Sequence, residues 1–265
     1  GETTSIPSAW GIDTTNVQKF APEKPTLIAR KIAGQRVISG EGVEDAIVPM
    51  LPAIRNAIIR DIASGEEKAI IDGQRTSTID TGDAPGTNDV RYAWDGIRWY
   101  VEQYTGAKVD ANGTITGTML VSALRKAMGE YGMDDTRLVH IPSANAYLDM
   151  LGIDDVRTVG EMGPAATMVR GQLAQVGSAP IVPSRYVRTD LNASGIYDGV
   201  IETKTINILV HRGGWIIGDR RKVTIEAQRW PLDDAWQLVG MERVSFANLF
   251  GTSHNMAAVL FDITS

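Results

Sequence analysis

Ile47, Leu51, Ile54, Ile58 and Ile62 stand 4, 3, 4 and 4 residues apart, so a helix over Asp45 to Ile71 carries them as one apolar stripe. Few folds accommodate so long a one-sided helix. It must lie along a layer with that stripe and turn its other side to water or to partners. Pro49 and Pro52 are tolerable only near a first turn, and Asp45 is a cap candidate, so the regular part starts close to Leu51. From Leu51 to Ile71 the helix runs about 30 Å. Gly65 weakens it and Gly73 is a natural stop. Its polar side carries Arg55, Asn56, Arg60, Glu66, Glu67 and Lys68.

Ahead of that helix, residues 1–33 show no helical period. Pro7, Pro22 and Pro25 exclude a helix interior, while Ser5-Ile6-Pro7 and Thr26 to Ala29 are short extended pieces. Thr14 to Lys24 holds few large apolar residues and predicts a long solvated loop or hairpin that buries little of itself. An arm of about a dozen residues projects about 40 Å. An arm that long without a core of its own needs a neighbour to lie on.

Beyond the helix, Gln74 to Asn88 is rich in Thr, Gly, Asp and Pro and predicts an irregular surface loop. Trp94, Ile97, Trp99 and Tyr100 gather on a short element. Met119 to Met133 predicts a second helix with Leu120, Leu124, Ala127 and Met128 inward, Arg137 to His140 a strand, and Ala144 to Leu151 a third helix. From Gly171 the character turns to antiparallel sheet. Strands are expected over Gln172–Val182, Ile206–Val210, Trp215–Gly218, Val223–Gln228, Trp236–Phe246 and Met256–Ile263. Val223, Ile225 and Ala227 alternate with Thr224, Glu226 and Gln228, the pattern of a strand with one wet face. The fold class is α+β.

The chemistry this chain excludes is informative. Its 265 residues carry 26 Lys and Arg against 32 Asp and Glu, a formal net charge of -6, which disfavours basic-arm DNA binding and polybasic membrane attachment. It has no cysteine, and so no disulfide, thiolate metal site or cysteine nucleophile. No apolar run approaches the roughly 20 residues that span a bilayer. His140, His211 and His254 fall on separate segments without metal-ligand spacing. The Asp-Asp pairs at 134–135, 154–155 and 233–234 each open an element, where capping and turn formation explain them. No glycine-rich phosphate cradle and no G-x-S-x-G elbow is present. The expectation is no catalytic residue, no cofactor and no metal.

One ordered set of segments carries more. Ala29 to Ser39 ends the opening hairpin, Val43-Glu44-Asp45-Ala46 leads into the long helix, and Glu66 to Gly73 closes it. Gly96-Ile97-Arg98, Leu138 to Pro142, Tyr147-Leu148, Gly177 to Ser184, Ile216 to Asp219 and Met241 to Phe246 follow in order. That succession resembles the major capsid proteins of tailed double-stranded DNA bacteriophages, the Hong Kong 97 fold, over about Ser5 to Ile263.

The resemblance implies an extended loop over 1–33 and a peripheral domain over 34–118 and 219–245, with its spine helix at 45–71. It also implies an axial domain over 119–218 and 246–265. It implies a structural protein that self-assembles as hexamers and pentamers into an icosahedral shell around double-stranded DNA, with no sequence-specific DNA contact and no membrane. Implied partners are further copies, a portal, a scaffold or maturation protease, and decoration proteins. The implied location is the virion, assembled in the host bacterial cytoplasm.

Intersubunit contacts are expected at Lys19, Lys24, Arg30 and Lys31 on the loop arm, and at Arg55, Arg60, Glu226 and Arg243 on the spine and sheet. Members normally carry an arm and a first strand ahead of the loop, whereas this chain starts at or inside it. Some members crosslink covalently through a loop Lys, an Asn and a Glu. Here Lys19 or Lys24 would be the amine, but Asp234 and Met241 stand where the other two are expected, so no crosslinking is expected. An encapsulin-type compartment or a gene-transfer-agent shell is the alternative within this fold. A carboxylate-based hydrolase, or a monomeric receptor-binding or tail protein, is the alternative outside it.

Overall fold

The computed structural model describes residues 26–44, 50–103, 107–153, 156–158, 174–250 and 254–264. The long helix is α2, Met50–Asp72. It follows a single turn, α1, Gly40–Glu44. Ile58 and Ile62 are buried, Ile54 is half-buried and Leu51 is exposed, so the stripe meets its support only from the second turn onward. Asp45 and Ile47 lie outside the described residues.

Beneath α2 lies a three-stranded antiparallel sheet in the order β1-β9-β8: β1 is Arg30–Ser39, β9 is Ala235–Asn248 and β8 is Trp215–Trp230. Gly34 of β1 is paired directly with Gly240 of β9. This bare pair forms a notch in which Ile58 and Ile62 sit. A methyl group on Gly240 would fall 2.3 Å from Ile58 Cγ2, while one on Gly34 would clear it at 3.9 Å. Arg36 on the same face of β1 reaches Asp61 of α2 at 2.5 Å. Both side chains of that pair are about half-exposed, so its contribution is small.

The second sheet has seven strands in the order β2-β10-β7-β3-β6-β5-β4. These are β2 Lys108–Gly113, β3 Leu138–Pro142, β4 Val156–Thr158, β5 Ala174–Val176, β6 Ala179–Ile181, β7 Lys204–His211 and β10 Ala257–Thr264. Both faces are covered. Ile206, Ile208, Val210, Ala257 and Val259 pack toward α2, α3 (Ile97–Glu102) and β9. Leu138, Leu209, Ala258 and Leu260 pack toward α4 (Leu124–Met128) and α5 (Ala144–Leu151). A central strand buried on both faces needs a continuous apolar run, and Ala257 to Phe261 supplies one. The β8–β9 hairpin is an excursion between β7 and β10, which are neighbours in the seven-stranded sheet.

Four expectations change. The helix read over Met119–Met133 is a π-turn at Met119–Ala123, then α4, then a 3-10 turn at Gly129–Met133. Gly129, at φ +66°, ends the α-helical part, yet Leu120, Leu124 and Met128 still point inward. The strand read over Gln172–Val182 is a hairpin, β5 to β6, because Gly177 at φ +62° and Ser178 make a two-residue turn. The separate strands Trp215–Gly218 and Val223–Gln228 are one strand, β8, continuous through Asp219 to Lys222. That charged run reads as a loop but sits on an edge strand wet on both faces. Residues 108–113, where no strand was expected, form β2 at the edge of the seven-stranded sheet. Val109 and Ala111 were too weak a strand signal to place it there.

Candidate functional site

Three elements meet around one buried guanidinium. Arg98 of α3 is 1% exposed. Its Nη1 donates to Asp72 Oδ1 at 2.6 Å and Asp80 Oδ2 at 2.8 Å, and its Nη2 donates to Asp80 Oδ1 at 2.6 Å and the Gly195 carbonyl at 2.9 Å. Asp80 also accepts from the Tyr197 N–H at 2.9 Å and from Gln74 Nε2 at 2.8 Å. Gln74 Oε1 in turn accepts the N–H groups of Ile79 and Asp80. The stretch read as a surface loop, Gln74 to Asn88, is therefore partly core, with Gln74, Ile79 and Asp80 buried.

An outer ring surrounds this centre. Arg91 holds Asp83 at 2.8 Å and Asp89 at 2.7 Å. Arg188 holds Asp83 at 2.8 Å, grips Asp190 with two bonds and lies 4.3 Å above the Tyr197 ring. The end of α2, the loop after it, α3 and residues 188–197 are thus tied together by charge-assisted bonds.

The two inner carboxylates respond in opposite directions. Burial pushes Asp72 above the ordinary carboxylate range despite Arg98. Burial also opposes ionisation of Asp80, but Arg98, the Tyr197 N–H and Gln74 outweigh it and hold Asp80 below that range. Hydrogen bonds from Arg91 and Arg188 bring Asp83 down to about 2 despite some desolvation. Every carboxylate in this cluster is engaged by arginine, which suits holding rather than proton transfer.

The predicted contact residues divide into groups. Lys19 and Lys24 lie outside the described residues. Arg30, half-buried, and Lys31, exposed, begin β1. Lys31 is directly opposite Arg243 of β9, which is directly opposite Arg221 of β8, so three cations form one row on the outer face of the sheet. Glu226 is exposed farther along β8, 3.5 Å from Arg221. Arg55 and Arg60 are exposed on α2, across the sheet from that row. The structure brings Lys31 and Arg243 together and leaves the helix pair apart. Arg98 and Asp72 fall in segments that carry the resemblance, but their clustering, like the place of Arg221, had no signal in the sequence, since each partner is a common charge far from the others along the chain.

The architecture has known counterparts. The major capsid protein of Escherichia phage T5 is 27% identical over 229 residues, which is 84% of this chain and 44% of that protein. The chain thus spans less than half the length of this curated relative. Among solved structures, the capsid of Ralstonia phage GP4 superposes with a TM-score of 0.63 at 8% identity, covering 90% of this chain and 74% of that one. The holo-SrpI encapsulin complex from Synechococcus elongatus gives a TM-score of 0.60 at 13% identity, covering 89% and 75%. This is the Hong Kong 97 fold. No family model matches the chain. The similar proteins are shell components rather than enzymes, in agreement with the sequence reading.

Within this Hong Kong 97 fold the histidines and paired aspartates do structural work. His140 is fully buried against Asn207, with 3.2 Å between Nδ1 and Nδ2, and desolvation lowers its pKa to about 3, so it is neutral. His211 lies 3.5 Å from Asp134 and edge-on to Tyr131, which also meets His254. Asp135 pairs with Arg125, and Asp234 sits in the hairpin turn at φ +40° beside Arg229. Asp154 and Asp155 lie outside the described residues. Among the described residues no group of three or more His, Asp or Glu is placed to hold a metal ion.

A second acidic group sits between α2 and the three-stranded sheet. Desolvation first, then the neighbouring charges of Glu66 and Asp219, raise the pKa of Glu242; desolvation and Asp219 raise that of Glu66. A carboxylate raised in the folded state is favourable when protonated and loses that advantage as pH rises through its folded pKa. Glu242→Gln will therefore raise the thermal midpoint at pH 7, by about a degree or two given its partial exposure. The gain will vanish below the ordinary Glu pKa of about 4.3. Thermal melts of both proteins from pH 4 to 8 check this.

Proposed function

We propose that this chain is the shell-forming subunit of a tailed-phage capsid. Copies associate as hexamers and pentamers into an icosahedral shell around double-stranded DNA. The observation that carries this reading is the combination of the Hong Kong 97 fold with 27% identity to a phage major capsid protein over 84% of the chain. The shape agrees with it. The far end of β8 is exposed on both faces, Ala227 included, and Leu232 at the hairpin tip is wholly exposed. An exposed apolar tip of this kind marks an interaction surface.

In this reading residues 1–33 are the extended loop, 34–118 and 219–245 the peripheral domain, and 119–218 with 246–265 the axial domain. Strand β1 runs through 33, and β8 and β9 run through 218 and 245, so the domains share strands. A net charge of -6 suits a wall that encloses DNA without gripping it. A portal, a scaffold or protease and decoration proteins complete the partner set, with assembly in the host cytoplasm and residence in the virion.

The test is to express the chain and examine it by sedimentation and electron microscopy, with nucleic acid content measured on purified particles. Closed polyhedral particles are expected, with DNA in those recovered from infected cells. A persistent monomer at high concentration overturns the proposal. Particles from infected cells that hold protein cargo and no DNA assign the chain to a compartment shell instead.

A further inference from the structure

We propose that the β8–β9 hairpin tip of one copy, residues 231–234, docks into a cationic cleft beside the start of β1 in a second copy, an inference that rests on the shell-forming reading. The cleft has a volume of about 450 Å³ and lies between the first residues of β1 and residues 87–93. Arg30, Lys31, Arg75, Thr87, Asn88 and Tyr92 line it. Asp89 lines it too, but its carboxylate is already bound by Arg91. What remains is an excess of positive charge in a protein whose overall charge is negative.

Two further observations point to an anionic visitor. Arg30 is half-buried at the cleft, and its Nε has no hydrogen-bond partner among the described residues. Lys31 also opens the Lys31–Arg243–Arg221 row, in which like charges face each other directly across the strands and Glu226 accompanies only the Arg221 end, at 3.5 Å. Such pairs destabilise a sheet unless something of opposite charge lies over them.

The hairpin tip is the complementary piece. Pro231, Leu232 and Asp233 are exposed, Leu232 completely, and Trp230 behind them is 42% exposed. The tip is tied back to the end of β1, because the Gly40 N–H donates to the Asp234 carbonyl at 2.5 Å, and Asp234 also meets Arg229. It presents one apolar side chain next to one carboxylate. Preorganised segments of that kind bind with little ordering cost.

Geometry decides between a contact within one chain and one between chains. Arg30 is paired with Val244 and Ser39 with Ala235, so cleft and tip occupy opposite ends of the same strands. At ~3.3 Å per residue they are about 30 Å apart. They cannot meet within one copy. A contact between two different patches is heterologous, and it closes into rings or continues as a sheet of subunits, as a shell requires.

Charge reversal tests this. Lys31 and Asp233 are both exposed, so Lys31→Glu and Asp233→Lys will leave the thermal midpoint nearly unchanged. Each alone is expected to lower the particle fraction in sedimentation at least tenfold. The double variant, which carries both changes in every chain, is expected to recover to within about twofold of the unmodified protein. Leu232→Asp, which leaves the charge pair intact, is expected to block assembly on its own. Unmodified protein that forms particles, with single variants that assemble as well as it does, or a double variant no better than the worse single one, overturns the docking while leaving the shell reading intact. Assembly-competent Leu232→Asp overturns it as well. Unmodified protein that never assembles overturns both.

Discussion

Arg98→Met will destabilise the protein by about 3–5 kcal/mol, enough to make it insoluble on expression if its stability is ordinary. Arg98 is the charge around which Asp72, Asp80, the Gly195 carbonyl and, through Asp80, Tyr197 are arranged. Methionine fills the space but leaves two buried carboxylates facing each other without their shared partner. Arg98→Lys will not rescue it. One ammonium cannot reproduce four donor contacts laid out in the plane of a guanidinium.

The two acids are expected to behave differently. Asp72→Asn will be the cheaper of the two changes, because burial disfavours the Asp72 charge and an amide oxygen can still accept from Nη1. Asp80→Asn will cost far more, since Asp80 is the carboxylate that its neighbours hold ionised. Urea unfolding at pH 7 on the soluble variants checks the order. Equal losses for the two asparagine variants would mean that the cluster has no preferred anion. Acid acts through the same groups: Asp83, held at about 2, supports the fold at every pH above the ordinary Asp value of about 3.9, and that support disappears as pH falls through 2.

This cluster also marks where the sequence stops being readable. Helix α5 was visible over Ala144 to Leu151 because its signals are local, and the structure adds Ser143 as its cap, accepting from the Ala146 N–H. The same holds for α2 and for the apolar run of β10. Arg98 and Gly195 are 97 positions apart, and nothing near Asp80 in a Thr, Gly and Pro-rich stretch distinguishes it from a solvated turn residue. The continuity of β8 was hidden for a related reason. Its charged middle is paired by β9, and that pairing is a property of the register and not of the strand itself.

The candidate contact residues were legible only singly. Lys31 and Arg243 could each be picked as surface cations, but their direct apposition depends on β1 pairing with β9 across two hundred residues of chain. Arg221 joins them only because β8 carries irregular register between Asp219 and Thr224. The hairpin tip carries an audible local signal in Pro-Leu-Asp-Asp, yet the sequence alone gives Asp233 only the role of a turn residue. Its exposure beside Leu232 gives it the other one.

The Gly34–Gly240 pair depends on the same register, and it yields the second large effect. Gly240→Ala is expected to destabilise the fold by about 3 kcal/mol or more, at or beyond the upper end for added core volume. The added carbon would lie 2.3 Å from Ile58 Cγ2 and 3.0 Å from Ile62 Cδ1, so α2 must lift off the sheet along its best-buried turns. Gly34→Ala, on the paired strand, meets the same two side chains at 3.9 Å, an ordinary contact, and will be neutral or stabilising by about 0.5 kcal/mol through reduced chain entropy. The cause can be separated from a general intolerance of β9 by a double-mutant cycle. Ile58→Ala removes the Cγ2 methyl that collides, so its cost and that of Gly240→Ala will sum to clearly more than the cost of the double variant. Additive losses would place the strain elsewhere than in the seat of the helix, and a Gly240→Ala protein as stable as Gly34→Ala would remove the notch as the reason α2 lies where it does.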